Sequence, residues 1–141
     1  MEAHNTVLER EGFLLLNTKG VSMEPMLHEG REQSLIRPLE GKPKKNDVIL
    51  FRRKNGALVL HRVVGKRGES FILRGDNCYG SELVPTSQML GRLEGYYAQD
   101  RYVDCSKDRA YKRYVFGRNL SYPLRYLSYR FRAKLSHIFG K

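Results

Sequence analysis

The run DVILFRRKNGALVLHRVVGK, residues 47–66, sets the fold class. Its halves, DVILFRR and ALVLHRVVGK, are short apolar runs of the kind that sit half-buried in a sheet. Between them RKNG, 53–56, carries the Asn-Gly pair that supplies the backbone of a tight hairpin. Outward from this hairpin, FLLLNT (13–18), QSLIRPL (33–39) and SFILRGD (70–76) read as further strands, each bounded by Gly, Asn, Pro or charge. GRLEGYYAQD (91–100) reads as one more, closing the sheet. The spacing predicts a mainly β, antiparallel domain over residues 1–104. Before it, EAHNTVLERE (2–11) is made of helix formers with Val7 and Leu8 as its apolar pair, which suits a short exposed helix or a frayed arm.

At 141 residues the chain is one domain's worth and closes a core without disulfides or metal clips. Cys78 and Cys105 lie far apart and match no metal-ligand spacing, so neither a zinc site nor a disulfide framework is indicated, and no metal or cofactor is expected. The net charge of +11 points to an anionic neighbour. No segment approaches the roughly 20 apolar residues that cross a bilayer, and FLLL is too short for a signal-peptide core. A cytoplasmic or peripheral membrane location is therefore expected.

Chemistry is concentrated in three places. GVSMEPML (20–27) sets Ser22 in a turn made rigid by Gly20 and Pro25. Such a hydroxyl reads either as a turn cap or as a nucleophile, and a nucleophile needs a base and oxyanion donors within reach. His61 lies mid-strand in LVLHRVVG, and RGDN (74–77) places Asp76 at a Gly-punctuated strand end. Read singly, these are a sheet histidine and a turn aspartate.

In this order the pieces resemble the signal peptidase family of serine endopeptidases. GVSMEPML is similar to the family's nucleophile box, KKNDVILF to its Gly-Asp-Val-Val strand with Asn46 in place of glycine, HRVVG to its base box, LRGDNC to its Gly-Asp-Asn box and LGRLEGYY to its closing strand. The likeness spans about residues 12–97 and implies a signal-peptidase-like β domain. It implies Ser22 as nucleophile and His61 as general base, in the place where common bacterial members carry lysine. A neutral imidazole accepts the serine proton near pH 7 without the strong desolvation a lysine needs. By the same resemblance Asp76, or alternatively Glu82, orients His61. The Ser22 N–H and one further donor form the oxyanion hole, and Gly20 supplies no hydroxyl there. An extended peptide or preprotein substrate is implied beside Gly20, Val21 and Met23, with a leader or signal-like segment as the part removed. The alternative is a non-catalytic peptide-binding or regulatory module of the same fold. A self-cleaving repressor is set aside, since about twenty residues precede Ser22 and its base is a lysine.

Residues 105–141 differ in texture. From Lys107 onward Lys and Arg stand against a single acid, Asp108, and Leu120, Leu124, Leu127, Phe131, Leu135 and Ile138 recur at the spacing of one helix face. A basic amphipathic helix is expected, making the protein membrane-associated through an anionic membrane surface or a membrane-protein partner. Packing of the stripe on the β domain is the plainer alternative. No specific nucleic acid is expected, since no recognised binding motif accompanies the charge.

Overall fold

The computed structural model describes residues 2–139, with side chains described from Val7 to Ala133 and on to Ser136. The chain divides after Asp108 into two compact units.

The first unit is a mainly β, curled half-barrel sheet preceded by a short helix. Helix α1 spans Glu2–Glu11, and the strands are β1 Leu14–Asn17, β2 Gln33–Pro38, β3 Val48–Arg52, β4 Leu58–Arg67, β5 Ser70–Arg74, β6 Glu82–Pro85, β7 Met89–Ala98 and β8 Arg101–Asp104. Every pairing is antiparallel, and the order across the sheet is β1-β2-β7-β3-β4-β5-β6, with β8 on β7. The expected 53–56 hairpin closes through Gly56 N–H to Arg53 O (2.8 Å), with Gly56 at φ +91°.

Irregularities bend this sheet. Register shifts fall between Leu35 and Ile36, between Leu50 and Phe51, and between Val63 and Gly65. Each adds local twist and turns a flat ribbon into a curled one. One face buries Ile49, Phe51, Val63, Phe71, Leu73, Val84 and Met89 as a continuous core.

Three readings of the sequence need correction here. Strand β7 does not close the sheet at an edge but lies between β2 and β3, and its alternating burial from Met89 to Gly95 marks one face turned to the core. The short strands β6 and β8 lack a long apolar run and were not expected. Helix α1 is not a frayed arm: Leu8 is 2% exposed, and Gly12, at φ +76°, ends the helix with its N–H on Leu8 O. The seat of Leu8 is Gly91 of β7, where a Cβ would come within 3.2 Å of Leu8 Cδ2 and 2.6 Å of Arg37 O.

The second unit is helix α2, Arg109–Phe139, interrupted in its ladder by Pro123. Leu120, Leu124, Leu127 and Phe131 are exposed, and the side chain of Ile138 lies outside the described residues. The membrane-associated reading of this tail is corrected: no helix among the described residues is long and apolar enough to cross a membrane. Arg118, Arg125, Arg130, Arg132 and Lys134 recur too often along α2 to leave an apolar span.

Substituting Gly91→Ala forces the new methyl against the Arg37 carbonyl and Ile36 Cγ2 (2.6 Å). It is expected to lower stability by about 1–3 kcal/mol, read as a lower urea midpoint.

Candidate functional site

Strand β4 sends consecutive side chains to opposite faces, so His61 and Arg62 part company while sharing a backbone. Both are buried, at 5% and 1% exposure. Arg62 grips Asp76 with two parallel bonds, Nε to Oδ1 at 2.8 Å and Nη2 to Oδ2 at 2.9 Å. Its Nη1 donates to Asn46 O (2.9 Å), and Nη2 also approaches the Met26 sulfur (3.4 Å). Asn46 sits at φ +79°, a conformation that glycine adopts freely and that asparagine tolerates better than most residues.

Asp76 is held in turn by the serine turn. Its N–H reaches Met23 Sδ (3.4 Å), Asn77 N–H donates to Ser22 O (2.9 Å), and Asn77 Nδ2 donates to Val21 O (3.0 Å). Buried Met23, Met26 and Leu27 anchor that turn from below. Residues 20–27, 46–50, 61–65 and 74–78, scattered along the chain, are thus joined directly.

At the centre stands Gly75. A Cβ there would lie 2.6 Å from Ser22 O, 2.8 Å from Cys78 Sγ and 3.1 Å from His61 Nε2, so these three groups crowd one point. Only a residue without a side chain fits between them. Ser22, Met23, His61 and Cys78 also line one cleft of about 540 Å³, walled by Leu16, Leu27, Leu50, Leu58 and Leu60.

The structure brings some expected site residues together and separates others. Ser22, Met23 and His61 share the cleft. Gly20, at φ +74°, and Val21, at 58% exposure, flank it without lining it. Neither acid hydrogen-bonds His61: the Asp76 carboxylate is bound by Arg62, and Glu82, the first residue of β6, pairs with Arg53. His61 Nδ1 is buried without a hydrogen-bond partner, its ring edge-on to Phe51 with centroids 5.9 Å apart. Burial holds the imidazole below its ordinary pKa of 6.5, opposed by the negative charges of Glu82 and Asp76 and aided by Arg53.

Cys78 has no histidine near it in sequence. The fold brings it beside His61 Nε2, with its thiol facing Ser22 O at 4.0 Å. Burial pushes this thiol up from its ordinary value, which keeps it protonated and a poor nucleophile. His28, in the loop after the serine turn, is half-buried. Its ring Nδ1 and backbone N–H both meet Glu32, a buried carboxylate; burial tends to raise the Glu32 pKa, but the bonds from His28 outweigh it and lower it. Arg53, Thr18 and Lys19 also line the cleft unforeseen. For Arg53 the signal was its place in the hairpin entering the His61 strand.

Replacing Asp76 by Asn removes the counter-charge of a guanidinium that has no access to water. Asp76→Asn is expected to lose about 3–5 kcal/mol of stability, measured by urea denaturation near pH 7. No protein-family model matches this chain and no curated protein sequence matches it, so its functional reading stands on this geometry and on the resemblance of its boxes.

Proposed function

We propose that the cleft is the active site of a signal-peptidase-like serine endopeptidase that removes a leader or signal-like segment from a precursor. The observation that carries the reading is the meeting of the Ser22 turn with His61 Nε2 around Gly75, where Ser22 and His61 line one cleft.

The sheet supports a peptide ligand. Strand β5 pairs with β4 only from Arg62 onward, so Leu58–His61 carries no β5 partner on that side. Strand β1 pairs only with β2. Both segments line the cleft, and an extended peptide satisfies unpaired edges through main-chain hydrogen bonds. In the proposed reaction Ser22 Oγ attacks the scissile carbonyl carbon while its proton passes to His61 Nε2. The proton then goes to the departing amine, leaving an ester on Ser22. Water, deprotonated by the same nitrogen, hydrolyses that ester and restores the hydroxyl.

A second reading, a peptide-binding module without turnover, is favoured by one observation: His61 Nδ1 meets no carboxylate. One experiment separates the two. Cleavage of leader-bearing precursors by the wild type should disappear in Ser22→Ala and in His61→Ala; peptide binding that persists in the wild type with no product favours the module. Cleavage that survives Ser22→Ala ends the peptidase reading.

The pH dependence follows from the lowered imidazole pKa. His61 is neutral, and able to take a proton, down to a pH below 6.5. The acid limb of kcat/KM is therefore expected to have its midpoint below 6.5. Stability follows with the same sign: the unfolded chain protonates this histidine first, so stability falls as pH drops below 6.5 towards the folded pKa.

A further inference from the structure

The cleft is asymmetric in charge. One rim is formed by the end of β1 and the residues after it, including Lys19, and the other by the β3–β4 hairpin, including Arg53. Among the described residues these are the charged side chains along it apart from the titratable His61, and none of those lining it is a carboxylate. Lys19 is exposed and has no ion-pair partner among the described residues. Arg53 gives Nη2 to Glu82 yet remains 41% exposed, which leaves other N–H donors of its planar fork for a ligand. Exposed Lys54 follows at the hairpin tip. Beneath the rims, Thr18 Oγ1 and His61 Nδ1 are buried cleft groups without hydrogen-bond partners.

Lys19 and Arg53 give the partly apolar cleft a positive field, of which Glu82 offsets part at Arg53 while Lys19 carries its charge without an ion-pair partner among the described residues. From this we infer that the cleft selects peptides bearing a carboxylate, taken up by Lys19 and Arg53, beside apolar residues that fill the Leu-lined walls. The inference rests on the reading of the cleft as a peptide site and names the ligand class for it. The carboxylate has two sources, an internal Asp or Glu or the free C-terminus of a short peptide, and both present the same two acceptor oxygens to lysine and arginine.

The test uses the full chain carrying Ser22→Ala, so that binding is read without turnover. Fluorescein-labelled decapeptides of Ala, Val, Leu, Ser and Gly are prepared in three sets: a central Glu with amidated C-terminus, a central Gln with amidated C-terminus, and a central Gln with free C-terminus. Fluorescence anisotropy is expected to show the Glu set, the free-acid set or both binding roughly fivefold more tightly than the neutral set, the scale of partly exposed charge pairs. Which set gains identifies the source. The gain should shrink in Lys19→Gln, in Arg53→Gln and at high salt. Equal binding of all three sets, or a gain unchanged in both variants, overturns the inference while leaving the peptidase reading intact. Failure of every set to bind overturns the inference and removes the peptide site with it. Precursor cleavage persisting in Ser22→Ala sinks only the peptidase reading.

Discussion

The buried pair of Arg62 and Asp76 is the constraint on which the site depends. Removing a guanidinium and a carboxylate from water is unfavourable by several kcal/mol for each ion, and the loss is recovered only when the hydrogen-bond set is nearly complete. Here it is nearly so. Three guanidinium nitrogens have oxygen partners, with a methionine sulfur beside one of them, and both carboxylate oxygens are taken. Arg62 follows His61 in the chain, and Asp76 lies between Gly75 and Asn77, which touch the serine turn. Fixing the one ion pair therefore fixes the depth of His61 relative to Ser22. A one-residue slip of β4 would turn Arg62 to the opposite face of the sheet, leaving a buried carboxylate without its fork.

The same constraint explains why the centre holds a glycine and small polar groups. Asn77 draws the Val21 and Ser22 carbonyls towards the turn after β5, and the intervening space is closed to any Cβ at position 75. Cys78 then fills the gap that remains beside the imidazole. Its protonated thiol is compact and weakly polar, so it occupies a partly dry position next to His61 without adding a competing charge.

Most of the sheet was legible because its strands are local signals. The Asn-Gly hairpin and the apolar runs from residue 13 to 76 announce themselves within a few residues. Strands β6 and β8 were not, since ELVP and RYVD are too short for a period and owe their form to pairing with β5 and β7. The central position of β7 depends on contacts between distant segments, and no local pattern encodes it. The boxes containing Ser22, His61 and Asp76 were legible as separate motifs, but their partners were not. Which carboxylate serves an arginine and which a histidine is decided by competition among buried groups. A permanent guanidinium charge deep in the core claims a carboxylate more strongly than an imidazole that can remain neutral. The cleft cations escaped for a related reason: Lys19 and Arg53 gain meaning only when the sheet curls.

That competition also bears on the proposed base. In a triad, a carboxylate on Nδ1 fixes the tautomer that leaves Nε2 free and then stabilises the imidazolium as it forms. His61 has no such bond: its Nδ1 is buried without a hydrogen-bond partner, and its ring stands edge-on to Phe51. Desolvation keeps the ring neutral, so it is available as a base at neutral pH, yet the same desolvation opposes the positive charge that proton uptake creates. Glu82 and Asp76 offset part of this through space while their hydrogen bonds go to Arg53 and Arg62. In the proposed reaction this leaves the base available and its protonated form only partly compensated. In that proposal a ligand carboxylate at the Arg53 side of the cleft would add to the negative field acting on His61.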